Sequence, residues 1–331
     1  MKSINEFEVF SLYIIGIDGG GTKTIGYLSD YNGNILAAAK SDTSNYLSAG
    51  IEKAKESLDN VIKSLCSYDN ITKDDIGLIS LGLAGAGRKR DREVIETILK
   101  DLGINCKKII NNDAYIALVG AHGKSQGVIT ISGTGSITLG LNKKREMFRT
   151  GGWGHILGDE GSGYYFGKEG LVAVMKSYDG REKGTLITNK VLNYLNFTTV
   201  DEIVQYVYSN INNKTKISGL SRLVIEAAEE NDEVARKIIN KGVHELVSMI
   251  ITVVDKMGEP ENIALTGGIF DNSNLIKDKV NIILEEKFQL NVVDRKYSSV
   301  IGALIIGWEN EGVKYNELKL LNQIKEVDIH D

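Results

Sequence analysis

Ile14-Ile15-Gly16-Ile17-Asp18-Gly19-Gly20-Gly21-Thr22-Lys23-Thr24 constrains this chain more than any other stretch. An apolar run delivers one carboxylate, then three consecutive glycines, then Thr-Lys-Thr. Glycines let the backbone approach a ligand closely, and successive N–H groups can then face an anion. Phosphate is the natural occupant. Two common phosphate loops fail here. A Walker A loop needs lysine where Thr22 stands, and Lys23 comes one place late. The dinucleotide fingerprint needs a third glycine where Thr24 stands, and a helix after it. Instead, Thr22 to Leu28 alternates β-branched and aromatic residues, Tyr31-Asn32-Gly33-Asn34 is a hairpin turn, and Ile35 to Ala39 returns as a strand. The glycine loop therefore joins two strands of a meander.

The same order recurs. Gly127 to Ile131 reads as a strand and Ser132-Gly133-Thr134-Gly135-Ser136 as a glycine turn. Ile137 to Leu141 is a strand, Asn142-Lys143-Lys144 a turn, and Glu146 to Thr150 a third strand. This is an internal duplication about a third of the chain apart. Between the repeats, a helix over Ile51–Leu65, a strand over Ile76–Leu83, a helix over Arg88–Leu102 and a strand over Lys107–Ile110 form α/β units. Asn111-Asn112-Asp113 closes that last strand before a helix over Ala114–Ala121.

After the second meander comes a loop, Gly151-Gly152-Trp153-Gly154-His155 followed by Gly158-Asp159-Glu160-Gly161-Ser162, with Ser162 placed to cap the next helix. Thr185 to Met257 is almost wholly helical, and Glu259-Pro260 should stop it. A strand over Ile263–Leu265 runs into Thr266-Gly267-Gly268. A helix over Asn274–Phe288, a strand over Leu290–Val293, a small-residue helix from Ser298 and a terminal helix near 314–325 complete the chain.

The expected division is a domain of residues 1–120, completed by helix 310–325, and a larger one of residues 121–309 with a helical insertion around 180–230. A net charge of −5 offers no basic field for nucleic acid, and Lys143-Lys144-Arg145 reads as a solvated turn. Met1 to Leu12 has neither the apolar run of a membrane span nor the pattern of a signal peptide. Cys66 and Cys106 form no disulfide framework or metal motif and fit a reducing cytoplasm. His155 has no second ligand at zinc spacing and reads as structural or sugar-adjacent.

In open α/β sheets ligands collect at the carboxyl ends of strands. The glycine turns at 19–21, 133–135 and 267–268 stand there, as do Asp18 and Asp113. Phosphoryl transfer needs charge neutralisation, a metal and a group to deprotonate the acceptor. Asp18 suits Mg²⁺ held through water. Asp113 has two open readings: a base for an attacking hydroxyl, or the N-cap of the helix it precedes.

The quoted glycine turns, and most specifically the Gly151–Ser162 block, resemble the N-acetylglucosamine kinase branch of the BadF/BadG/BcrA/BcrD ATPase family. That family belongs to the sugar kinase, Hsp70 and actin superfamily, and the resemblance runs in order from residue 14 to 307. It implies an α/β, duplicated ribonuclease-H-like fold of two domains with ATP in the cleft between them, and transfer to the 6-hydroxyl of an amino sugar. N-acetylglucosamine and N-acetylmuramic acid lead, with glucosamine as an alternative. It implies that Asp113 is the base and that Asn45, Asp113, Gly152, Trp153 and Asp159 meet the sugar. Asp18, Gly20, Gly21, Thr22, Gly133, Thr134, Gly135, Ser136, Gly267 and Gly268 fall to ATP and Mg²⁺, while Lys23 is either a phosphate contact or solvated. A homodimer is the family-level expectation. Rival members activate dehydratases and reductases through an iron–sulfur cluster held by cysteines, but neither Cys66 nor Cys106 lies in a glycine-rich segment. A chaperone-like ATPase would need a long substrate domain after the nucleotide core.

Overall fold

The protein, seen here as a computed structural model, is described over residues 12–210, 213–259 and 261–327. Met1–Ser11 and Pro260 therefore lie outside the described residues, and with them nearly all of the predicted N-terminal lead-in and the predicted proline stop. In chain order the first half holds β1 (Tyr13–Gly19), β2 (Lys23–Asp30), β3 (Ile35–Asp42), α1 (Tyr46–Ala49), α2 (Ile51–Cys66), β4 (Ile76–Leu83), α3 (Lys89–Asp101), β5 (Lys107–Asn112) and α4 (Asp113–His122). There follow β6 (Gly127–Ser132), β7 (Ser136–Leu141), β8 (Met147–Gly151), α5 (Gly163–Tyr178), α6 (Leu186–Leu195), α7 (Asp201–Ser209), α8 (Lys214–Ser218), α9 (Ser221–Glu229) and α10 (Glu233–Met257). The chain ends with β9 (Ile263–Thr266), α11 (Gly268–Asn272), α12 (Asn274–Phe288), β10 (Val292–Val293), α13 (Ser299–Glu311) and α14 (Glu317–Val327).

Two compact units result, one of residues 1–125 with 296–331, the other of residues 126–295. The first unit carries a five-stranded sheet in the order β3-β2-β1-β4-β5. Its central strand β1 is an Ile-rich run whose Ile14, Ile15 and Ile17 are fully buried, as a strand covered on both faces requires. β1 pairs antiparallel with β2 and parallel with β4. The second sheet repeats that plan: β6 pairs antiparallel with β7 and parallel with β9, in the order β10-β9-β6-β7-β8. The duplication legible in the sequence is thus a duplication of topology, the ribonuclease-H-like arrangement.

Within the first unit α4 packs on α13 with almost no side chain between them. A Cβ on Gly302 would sit 2.0 Å from the Ile116 carbonyl oxygen, and one on Gly120 would sit 2.4 Å from that of Ser298. The contact fixes where α4, and hence Asp113 at its start, can lie. Trp308 of α13 is fully buried, and its Nε1 donates to Ser29 Oγ at 2.7 Å. The terminal helix α14 reaches the edge strand, where the Ile35 N–H meets Gln323 Oε1 at 3.4 Å.

Local details depart from the sequence reading. β3 runs on to Asp42, three residues past the predicted end at Ala39. β10 is only two residues long. α10 stops one residue before Gly258, which adopts the left-handed conformation at φ 73°. Gly258 caps the end of the helix. The short α11 has no counterpart in the sequence reading.

Gly302→Ala should lower the unfolding midpoint, because the α4–α13 approach leaves no room for a methyl group; overpacking costs about 1–3 kcal/mol. Gly184→Ala, where a Cβ meets nothing within 4 Å, is the control and should leave the midpoint nearly unchanged. Equal midpoints for the two variants in denaturant titration would contradict the close packing.

Candidate active site

In the first unit, Asp18 sits one residue from the end of β1, opposite Ile25 on β2 and Gly82 on β4. The turn after it closes with the Gly20 N–H donating to the Lys23 carbonyl at 2.9 Å. Gly21 and Thr22 form its exposed tip. A Cβ on Gly21 would meet nothing within 4 Å, so the backbone there lies open to approach. The turn is tied down from β3: Thr43 Oγ1 donates to the Gly20 carbonyl at 3.0 Å, and Thr24 Oγ1 to the Asp42 carbonyl at 2.6 Å. Asn45 follows two residues later and caps α1, its Oδ1 accepting from the Leu47 N–H at 3.1 Å. The backbone N–H of Asn45 donates to Thr43 Oγ1 at 3.2 Å, and its side-chain Nδ2 has no partner among the described residues. Gly85, in the loop after β4, stands beside it; a Cβ there would lie 3.2 Å from Asn45 Oδ1.

Asp113 is not the N-cap that one sequence reading allowed. Asn112 takes that role, its Oδ1 accepting the Tyr115 N–H at 2.7 Å. Asp113 becomes the first residue of α4, and its Oδ1 accepts only the neighbouring Ala114 N–H, at 2.9 Å. Its side chain reaches solvent but is crowded by protein. Desolvation pushes its carboxyl above the usual carboxylate range, against the lowering effect of the Ala114 N–H. A solvent-exposed carboxylate with spare acceptor capacity is suited to take a proton from a hydroxyl.

In the second unit the glycine turn is laced from behind by the Asp159–Gly163 segment. Asp159 is 4% exposed, and its Oδ1 accepts the Ser136 N–H at 3.3 Å. Ser136 Oγ donates to the Glu160 carbonyl at 2.7 Å and Ser132 Oγ to that of Gly161 at 2.8 Å. The first N–H groups of α5 bond back to the turn, Gly163 to the Gly133 carbonyl at 2.8 Å and Tyr164 to that of Thr134 at 3.3 Å. Asp159, expected at the sugar, therefore faces the turn: a Cβ on Gly135 would sit 2.8 Å from its Oδ2. Ser136, expected at ATP, has its hydroxyl spent on Glu160. The third turn lies alongside. Gly267 has φ 101°, and a Cβ on Gly133 would approach the Gly268 N–H nitrogen to 4.0 Å.

Gly133, Thr134 and Gly268 form one end of a cavity of about 590 Å³ whose other walls are Ser218, Arg222, Glu226 and Asn272. Arg222 stacks over Tyr194 at 4.3 Å. These helical residues belong to no sequence motif; only the fold brings α8, α9 and α11 to the turns. A slightly larger cavity, about 610 Å³, lies between α5 and α10 and touches none of the predicted site residues.

The remaining loop is built on two left-handed glycines, Gly151 at φ 69° and Gly152 at φ 70°. The Gly152 N–H donates to the Ser136 carbonyl at 2.8 Å. Trp153 is 65% exposed. His155 packs edge-on against Tyr164, ring centroids 4.7 Å apart, a structural placement. Among the described residues no three His, Cys, Asp or Glu side chains converge as a metal cage. Asp18 alone cannot form one, so the residues fit a cation that arrives on phosphates and is held through water.

The model of the BadF/BadG/BcrA/BcrD ATPase family matches residues 15–307. The chain is similar to the N-acetylmuramic acid/N-acetylglucosamine kinase of Clostridium acetobutylicum, 35% identical over 89% of this chain and 97% of the relative. It is similar to the N-acetyl-D-glucosamine kinase of Dictyostelium discoideum, 35% identical over 83% of this chain and 90% of that one. A solved structure of a candidate N-acetylglucosamine kinase from Chromobacterium violaceum superposes with a TM-score of 0.72 at 25% identity, covering 90% of this chain and 99% of the other.

Asp159→Ala should destabilise the protein by about 1–3 kcal/mol, since it strands the buried Ser136 N–H and places alanine at the φ of 62° that Asp159 adopts. Asp159→Asn keeps an acceptor and tolerates that backbone, so its unfolding midpoint should stay near wild type. Equal losses for both would remove the bracing role.

Proposed function

The chain belongs to the BadF/BadG/BcrA/BcrD ATPase family, and on that premise we propose that it transfers the γ-phosphoryl group of ATP to the 6-hydroxyl of N-acetylglucosamine, N-acetylmuramic acid or both. The observation that carries this reading is Asp113, released from helix capping by Asn112 and raised in pKa by desolvation. Asp113 takes the hydroxyl proton as the sugar oxygen bonds to phosphorus and the bond to the ADP oxygen breaks. Proton transfer is late, because a carboxylate is a weak base for an alcohol.

The glycine turns at 20–22, 133–135 and 267–268 present backbone N–H groups to the phosphates. The cavity walled by Ser218, Arg222 and Asn272 takes the nucleoside. Bound on the phosphates, Mg²⁺ would neutralise their charge, with Asp18 holding its water shell. Asn45 and the Gly152-Trp153 segment meet the sugar. Asp159 acts one step back, by shaping the turn that carries Gly135 and Ser136.

Cys66 ends α2 and Cys106 precedes β5, neither in a glycine-rich segment, which speaks against the activator reading. No described helix is long and apolar enough to cross a membrane. A cytoplasmic location is the setting we propose from ATP use and the two free thiols. A homodimer is proposed from the family resemblance, and sedimentation would read it.

Asp113→Asn should lower kcat by roughly 10²- to 10⁴-fold with sugar affinity largely kept. Activity requires ionised Asp113, so in the wild type kcat/KM should fall as pH drops through a value above the ordinary Asp pKa of about 3.9. Near-normal turnover in the variant, or an acid limb at or below the ordinary value, would exclude Asp113 as base. The purified protein should also be colourless; an iron–sulfur absorption band would hand the case to the activator reading.

A further inference from the structure

N-acetylmuramic acid differs from N-acetylglucosamine by a lactyl ether that ends in a carboxylate. An enzyme that accepts the acid must place a cation near the sugar or tolerate an unpaired charge. The Trp153 loop holds such a cation. Arg149, in β8, donates from Nε to the Gly151 carbonyl at 3.0 Å and from Nη2 to the Gly152 carbonyl at 2.5 Å. Its guanidinium carbon lies 4.4 Å from the centre of the Trp153 ring.

Two of the five guanidinium N–H groups are used in this way. Arg149 makes no ion pair among the described residues, so its charge is not neutralised by the protein. The nearby acids are turned elsewhere or set apart. Asp159 is committed to Ser136. Glu160 stands by Gly158, where a Cβ would lie 3.5 Å from its Oε2. A guanidinium already fixed by two carbonyls and an indole loses little side-chain freedom on binding, and its planar fork matches a carboxylate.

Resting on the amino-sugar kinase reading above, we infer that Arg149 determines specificity: it holds the Gly151-Gly152-Trp153 segment in shape and offers its remaining N–H groups to the lactyl carboxylate of N-acetylmuramic acid. A neutral sugar gains only the first contribution. An acidic sugar gains both.

The test compares kcat/KM for N-acetylglucosamine, N-acetylmuramic acid and the carboxamide of N-acetylmuramic acid, in wild type, Arg149→Gln and Arg149→Lys. Wild type should prefer the acid over its carboxamide by roughly tenfold, as a charge-assisted hydrogen bond supplies, and added salt should shrink the ratio. Arg149→Gln should bring the ratio to about one, whatever common loss the three sugars share from a loosened loop. Arg149→Lys should keep part of it. An acid-to-carboxamide ratio unchanged in Arg149→Gln would overturn the inference. So would a wild type that turns over N-acetylglucosamine but not N-acetylmuramic acid; the kinase reading would then stand. Failure of wild type on every sugar would instead overturn that reading. Should Arg149→Gln not fold, the salt dependence and carboxamide comparison in wild type still decide the matter, since no preference for the acid would exclude the role.

Discussion

The hydrogen bond from the Tyr115 N–H to Asn112 Oδ1, 2.7 Å long, fixes the start of α4 and leaves the Asp113 carboxylate out of the cap. A helix start leaves N–H groups without partners, and the nearest suitable side chain is drawn in to satisfy them. Two adjacent residues, Asn112 and Asp113, can both serve. Because the amide takes the cap, the carboxylate is left with a single neighbouring N–H and retains the acceptor capacity a base needs. The helix that bears it is held by the glycine-lined contact with α13, so the position of the acid follows from backbone packing and not from a flexible loop.

The two glycine turns descend from one plan but are stabilised differently. The first is tied by threonine hydroxyls from its own meander and leaves an exposed tip at Gly21 and Thr22. The second is fixed by Asp159, by the Ser132 and Ser136 hydroxyls and by the first N–H groups of α5, which accounts for the density of special residues after Trp153. Backbone N–H groups recognise phosphate well only when they are prearranged, since ordering them at the moment of binding would cost conformational entropy. Much of the Gly158–Ser162 block therefore serves the turn it backs onto.

Strands, turns and most helices were legible because their signals are local. Alternation marks β2, Asn32-Gly33 marks its hairpin, and the apolar spacing from Ile51 to Leu65 marks α2. The duplication was legible because the repeats keep the same order of strand and glycine. Choices between neighbours were not: Asn112 against Asp113 as cap depends on which backbone conformation the tertiary structure selects. Long-range partnerships were hidden too. Nothing in the spacing of Asp159 and Ser136 says that the acid turns back to the turn, and nothing in α8 or α9 says that Ser218 and Arg222 wall a cavity with Gly133 and Gly268. Arg149 precedes the glycine pair in plain view, yet its value lies in holding two carbonyls and an indole at once, which only coordinates reveal.

The most direct measurement is the product. Purified protein with ATP, Mg²⁺ and N-acetylglucosamine or N-acetylmuramic acid should yield one sugar phosphate per ADP, and phosphorus–proton NMR should couple the phosphate to the protons on carbon 6. ADP released without a sugar phosphate, or an ester at the anomeric carbon, would contradict a kinase acting on the 6-hydroxyl.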